Sequence, residues 1–353
     1  MSPDADVVVA GGGPVGLAAA LEAVRAGLDV VVLEPRPAPV DKACGEGLMP
    51  GTLVAVRRLG VDPPGHDLAG ISYRRGDVVA DHRFAAGPGR GVRRTVLHAA
   101  LHEAALDAGA VVLARRVTTV EQSGGLVAAG GVRARWLLAC DGLHSRVRRE
   151  TGLEVAASRA VPGRGRARDR PPADRRRFGL RRHFRVAPWS DLVEVHWGPR
   201  VEAYVTPVSP ELVGVALLGP AGVDFDAELA TLPRLAARLE GADAGPVRGA
   251  GPLRVRSAAR TSGRVRLVGD ASGYVDALTG EGLRVGLAQA RAAVEHLDDP
   301  AAYERRWARV TRDYRLLTAG LVAAAGSPLR GSVVPAASRL PRLYGAVVER
   351  LAR

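Results

Sequence analysis

Only two of the 353 residues are cysteine, Cys44 and Cys140. Two thiols so far apart offer neither a disulfide framework nor the paired spacing of a metal site, and they suit a reducing compartment. Lysine is scarcer still: Lys42 stands alone, so nearly all of the 50 basic side chains are arginine. The net charge is +13, yet aromatics make up only 4% of the chain. No compact basic helix is interleaved with them, which argues against nucleic acid as a partner. With the abundant alanine, valine and glycine, the arginines read as compositional bias. The densest basic run, Arg164–Arg185, reads as a solvated loop and strand edge, open to the phosphates of NADPH. The longest soft apolar run, Leu316–Gly326, falls short of the ~20 residues that cross a bilayer, so no integral membrane segment is expected. The first strand begins near Asp6, which leaves no room for a signal peptide and points to the cytoplasm.

The chain is 47% hydrophobic, and its 43 glycines and 24 prolines are too scattered for low complexity. Its length suggests two interlocked domains or one large one. Val7–Ala10 and Asp29–Leu33 are short continuous apolar runs, the mark of buried parallel strands. Leu17–Ala26 reads as the crossover helix between them, closed by Gly27. Helices are expected over Gly51–Leu59 and Thr95–Ala108, a hairpin over Ile71–Phe84, and strands over Val111–Leu113, Trp136–Cys140 and Val265–Val268. Ala156–Ala173 is unpatterned and reads as a loop. From Phe178 to Leu218 apolar residues recur with period two, predicting an antiparallel sheet with one covered face. Gly282–Leu297 reads as a helix. The last ~45 residues read as helical with proline and arginine interruptions, and no chemistry is visible there.

Two motifs carry chemistry. Gly11-Gly12-Gly13-Pro14-Val15-Gly16 lies between a strand and a helix. Gly11 permits the tight turn, Gly13 the approach of a pyrophosphate to the helix N-terminus, and Gly16 close helix packing. Glu34, at the end of the second strand, can accept hydrogen bonds from the hydroxyls of an adenosine ribose. Its charge disfavours a 2′-phosphate, so FAD or NAD suits this site better than NADP. Far along the chain, Asp270 follows a buried strand and is placed to accept from a ribityl hydroxyl. Gly280 and Gly282 open a helix whose amides can stabilise charge on a reduced flavin. A plainer reading of that second motif is a helix cap with flexible glycines.

Together these motifs resemble the flavoprotein family of p-hydroxybenzoate hydroxylase and geranylgeranyl reductase. Two further segments match in the family's order, Arg93-Arg94-Thr95-Val96-Leu97-His98 and Ala139-Cys140-Asp141-Gly142 through Arg148. The loop Cys44-Gly45-Glu46-Gly47 resembles the geranylgeranyl-reductase side. The resemblance implies an α/β fold: a Rossmann-type FAD-binding domain with an inserted antiparallel β-sheet substrate domain and C-terminal helices. Residues 1–70, 94–155 and 255–310 would form the first, 71–93 and 156–254 the second, and 311–353 the helices. It also implies that Arg94, Asp141 and Gly142 lie near FAD and that Cys44 and Gly45 pass beside it. With Pro14, Val15, Pro35, Arg36 and Leu283, these complete the expected cofactor site. Without the family, Asp141-Gly142 is an ordinary turn and Arg94 a solvated helix start. One departure stands out: many relatives have proline near positions 276–278, where this chain has Asp276-Ala277-Leu278, and a looser loop is expected there.

The preferred activity is an NAD(P)H-driven monooxygenase, hydroxylating or epoxidising an aromatic, polyketide or terpenoid molecule, with NADPH or NADH as a transient reductant. The arginine-rich composition suggests secondary metabolism. The alternative is a geranylgeranyl-reductase-like enzyme that saturates isoprenoid double bonds. Halogenase relatives carry a tryptophan-rich segment and a later lysine, both missing here. A flavin-binding protein without catalysis is the remaining class. Cys44 and Glu46 are the catalytic candidates. Trp197, Tyr204 and His196 are candidate substrate contacts, although core packing explains the aromatics equally well. His183 and His196 lie on the less apolar faces of their strands and are expected to be exposed.

Overall fold

The computed structural model describes residues 2–155 and 176–353. The expected loop Ala156–Ala173 and much of the basic run Arg164–Arg185 lie outside the described residues.

Five strands run parallel in the order Val265–Leu267, Val132–Ala139, Ala5–Ala10, Val30–Leu33 and Val111–Leu113. The central Val7–Ala10 is fully buried because both faces of the sheet are covered. Val7 and Val9 pack with Leu17, Leu21 and Leu101 on one side, and Val8 and Ala10 with Val127 and Val147 on the other. That two-sided burial is why the run is unbroken valine and alanine rather than alternating. The crossover helix spans Pro14–Arg25, with proline in its first turn, where a missing N–H costs nothing. The helix Arg94–Asp107 packs beside it.

The second sheet runs Arg177–Arg185, Leu212–Pro220, Glu202–Ser209, Leu192–Trp197, Gly70–Arg75, Val78–Arg83. It is antiparallel except where Gly70–Arg75 pairs parallel with Leu192–Trp197, because the expected hairpin joins from an earlier part of the chain. Neither face is open, which corrects the expectation of one covered face. Phe184, Val205, Val215 and Leu217 pack under the helices Phe225–Ala230 and Pro233–Leu239. Val193, Val195 and Leu218 face inward, towards the loops of the first sheet and the C-terminal helices. A small third sheet, Gly47–Leu48, Gly89–Gly91 and His66–Leu68, joins the two. Its strands of two or three residues are too short to leave a periodic signal.

The chain ends in the helices Pro300–Ala325, Val333–Arg339 and Pro341–Ala352. Among the described residues no single helix is long and apolar enough to cross a membrane.

Candidate cofactor and substrate site

The glycine turn is built as its spacing suggests. Gly11 has φ +98°, and a Cβ there would lie 2.6 Å from the Cys140 carbonyl oxygen. A Cβ on Gly16 would lie 1.8 Å from the Gly11 oxygen, so only glycine lets the helix sit on the strand. At Gly13 the nearest atom would be an Arg94 guanidinium nitrogen at 3.6 Å, which leaves the backbone open to the cavity. Glu34 is buried, and its Oε2 accepts the Gly12 N–H at 3.0 Å. Arg36 grips the same carboxylate through Nε at 2.8 Å and Nη2 at 2.9 Å. Burial works to raise the Glu34 carboxyl, but its hydrogen bonds with Arg36 and Gly12 and the Arg36 charge outweigh it and hold the group below the usual range. An ionised acid therefore stands beside the turn. Pro14 and Val15 line the same space, whereas Pro35 is exposed and off its wall. His98, which the sequence did not single out, hydrogen-bonds the Gly12 carbonyl through Nε2 at 2.9 Å. Burial pushes its ring down to about 4, so it is neutral at pH 7 and donates.

The later loops converge on this turn. Asp141 Oδ2 accepts the Arg146 and Val147 amides at 2.7 and 3.0 Å, capping the short helix Arg146–Glu150. The plain turn reading is thus part of its role. Its other oxygen is buried without a partner, and burial raises its carboxyl. Asp270 sits 3.6 Å from the Lys42 ammonium. Gly280, Gly282 and Leu283 lie at the start of the helix Gly282–Glu295, on the cavity wall. Between them Glu281 is pushed up to about 7 by burial, with Arg284 pulling the other way. Two buried side chains that sequence reasoning passed over tie these loops together. Arg148 reaches the Ala271 and Leu143 carbonyls at 3.1 and 2.9 Å, and Gln289 accepts from the Gly269 amide at 2.7 Å. Arg148 belongs to the matching segment that runs from Ala139 to Arg148, which was its signal. Gln289 had none beyond its helical position.

The expected looseness at positions 276–278 is corrected. Asp276 is buried, accepts the Leu278 amide at 3.0 Å and pairs with Arg177 at 2.9 Å. Arg177 also meets Glu202 at 2.5 Å, and Arg330 meets the other oxygen of Glu202 at 2.5 Å. Charge pairing supplies the stiffness that proline supplies elsewhere.

All these loops border one cavity of about 890 Å³, towards the upper end of the ~300–1,000 Å³ usual for ligand sites. Cys44, Gly45, Glu46, Arg94, Asp141 and Gly142 line it. Arg94 Nε is buried without a partner. A turn open to phosphate, an ionised Glu34, and unpartnered atoms on Arg94 and Asp141 fit an FAD. Beyond the turn the wall is mostly apolar, with Val193, Val195 and Leu218 from the second sheet and Leu321, Val347 and Leu351 from the C-terminal helices. Those helices, in which the sequence showed no chemistry, close the cavity. Tyr204 is on the wall, its hydroxyl donating to the Leu278 carbonyl. Trp197 is not among the lining residues; it is buried against Tyr73, ring centroids 5.7 Å apart. His196 lies on the opposite face of its strand, 2.9 Å from Glu194. His183 is buried, not exposed, and bonds Glu46.

Residues 4–165 match the FAD binding domain family. A menaquinone reductase of Mycobacterium tuberculosis is 34% identical over 167 residues, 42% of this chain and 40% of that relative. A dialkyldecalin synthase of Streptomyces rugosporus is 29% identical over 313 residues, 80% of this chain and 63% of that relative. The crystal structure of p-nitrophenol 4-monooxygenase from Pseudomonas putida shares the fold, with a TM-score of 0.79 at 19% identity over 99% of this chain and 97% of that one. The chain spans less than half the length of the menaquinone reductases it matches. The FAD binding domain match covers the first part of the chain, and the shared architecture extends the likeness in fold to the rest.

Proposed function

We propose that the chain is an FAD-dependent reductase that adds hydrogen across a carbon–carbon double bond of a long, apolar, isoprenoid-type substrate. The observation that carries this is the cavity, which runs from the glycine turn to the C-terminal helices and is mostly apolar once past the turn. Such a wall binds by excluding water from an extended hydrocarbon and offers little to orient a polar ring. The Cys44–Gly47 loop and the similarity to a menaquinone reductase support the same reading. On this reading the reductase is preferred to the monooxygenase, which the sequence had ranked first.

Bound FAD would supply hydride chemistry, renewed by NADPH or NADH. In this reading the Gly11–Gly16 turn takes the pyrophosphate, Glu34 the ribose hydroxyls, and Asp270 the ribityl chain. The amides at Gly280–Leu283 lie beside the flavin ring. Arg94 completes the charge balance at the phosphates. Of the two catalytic candidates, Cys44 is the one left to move a proton, because both carboxylate oxygens of Glu46 are engaged. Tyr204 is committed to the Leu278 carbonyl. The division into a discontinuous FAD-binding domain, a substrate sheet and C-terminal helices goes with this assignment.

The monooxygenase is the second reading, favoured by the dryness of the same wall. Burial pushes the Tyr73, Tyr204 and Tyr274 hydroxyls well up, so none of the three would supply a phenolate to oxygen chemistry there. The test is NADPH and NADH oxidation in an oxygen electrode with a polyprenyl quinone or alcohol, followed by product mass. Reduction gives a gain of two hydrogen atoms without matching oxygen uptake. A gain of one oxygen atom with equal oxygen uptake would establish the monooxygenase instead.

A further inference from the structure

Among the described residues Glu46 is the one non-glycine with a positive φ, +59°. A side chain in that region strains the backbone, and its persistence asks what the side chain is for. Glycine neighbours on both sides, Gly45 and Gly47, show that the chain can place glycine in this loop, yet position 46 keeps a carboxylate. That carboxylate is buried and fully used. Oε1 accepts the Arg94 amide at 2.9 Å, and Oε2 meets His183 Nε2 at 2.6 Å. The His183 ring is oriented in turn: its Nδ1 is 2.9 Å from Arg181 Nη1, and an arginine only donates, so the hydrogen lies on Nε2 and points at Glu46. Arg181 is anchored on Asp41, at the other end of the same loop. The second sheet leaves room for the arrangement, since a Cβ on Gly214 would come within 2.9 Å of Glu46 Oε2. Thr206 holds the Gly45 carbonyl at 2.8 Å, and the Val92 amide holds the Glu46 carbonyl at 2.8 Å.

We propose that Glu46 and His183 are positioning residues for the cofactor: a clamp through which the second sheet fixes loop 41–47 and the start of the Arg94–Asp107 helix. It sets Arg94 over the glycine turn and Lys42 beside Asp270. Glu46 thus acts through Arg94 and the loop and not as an acid over the flavin. The strain at residue 46 keeps a carboxylate where three elements meet: the loop, the helix start and strand Arg177–Arg185. The inference rests on FAD being the cofactor and not on which reaction follows.

The experiment is FAD titration of the apoprotein, followed by flavin fluorescence and absorbance, with a thermal melt of each apoprotein. Glu46→Ala and His183→Ala each weaken FAD binding ~10-fold or more, the scale of one lost charge-assisted hydrogen bond. The double variant is no weaker than the worse single, because both act through one contact. Glu46→Gln recovers only part of the affinity, since its one amide oxygen can accept from Arg94 while its NH2 then faces the His183 Nε2–H. The control is Glu228→Ala, which removes another buried carboxylate, paired with Arg200 at 3.0 Å and away from the cavity. It lowers the melting temperature and leaves FAD affinity alone. FAD affinity within ~2-fold of wild type in both alanine variants would overturn the clamp, as would an equal loss in Glu228→Ala. A wild-type chain that takes up no FAD would overturn the cofactor assignment with it, and so is distinguishable from either.

Discussion

The tightest constraints in this molecule are single atoms. A methyl group on Gly16 has nowhere to go, 1.8 Å from a backbone oxygen, so Gly16→Ala must push the crossover helix off its strand. Apoprotein FAD titration should show affinity lost by more than ~100-fold, and an unchanged titration would mean that the turn does not bind the cofactor. His98 sets a pH dependence. Its folded value, about 4, lies below the ordinary 6.5. The unfolded chain therefore binds the extra proton between those values, and stability falls as pH drops through that window, by up to ~3 kcal/mol; above pH 6.5 the effect is absent. Urea unfolding from pH 7 to 4.5 should show this slope, and His98→Gln should flatten it. If the slope survives in the variant, other groups are responsible. The glycines were legible in the sequence because their chemistry is a matter of spacing. His98 and His183 were not, because a lone histidine announces neither its burial nor its partner.

At the scale of elements, alternation and capping carried most of the fold. The strand–helix–strand unit was legible because parallel strands buried on both faces are apolar throughout and Gly27 marks the end of the helix between them. The hairpin expected over Ile71–Phe84 was legible, and its strands span Gly70–Arg75 and Val78–Arg83. The loop at 276–278 was misread because its rigidity comes from partners about 70 to 100 residues away in sequence, Glu202 and Arg177, which no local pattern encodes. Asp276→Ala would leave Arg177 with half of its buried partners and free the Leu278 amide. Breaking a buried pair in this way costs about 3–5 kcal/mol, read as a shift in the denaturation midpoint. A loss under ~1 kcal/mol would show that the cluster is not holding the loop.

For the whole molecule, the proposed function turns on how far the cavity extends. The sequence pointed to the glycine turn and Glu34, which border one end of the cavity, since phosphate and ribose contacts need glycine and acid at fixed places. It did not reveal the far end, because Leu321, Val347 and Leu351 look like any helical core until the fold turns them towards the second sheet. Val195→Trp should fill the middle of the cavity. Longer polyprenyl substrates should then lose turnover while short ones and the bound-flavin spectrum persist; equal turnover of all lengths would place the substrate elsewhere.

The most direct measurement is anaerobic. Protein holding FAD is photoreduced in a sealed cuvette, a polyprenyl substrate is added, and the return of the oxidised flavin spectrum is followed before product mass is taken. Reduction of a double bond predicts reoxidation without oxygen and a substrate heavier by two hydrogen atoms. A spectrum that returns only when oxygen is admitted, with an oxygen atom in the product, would contradict it.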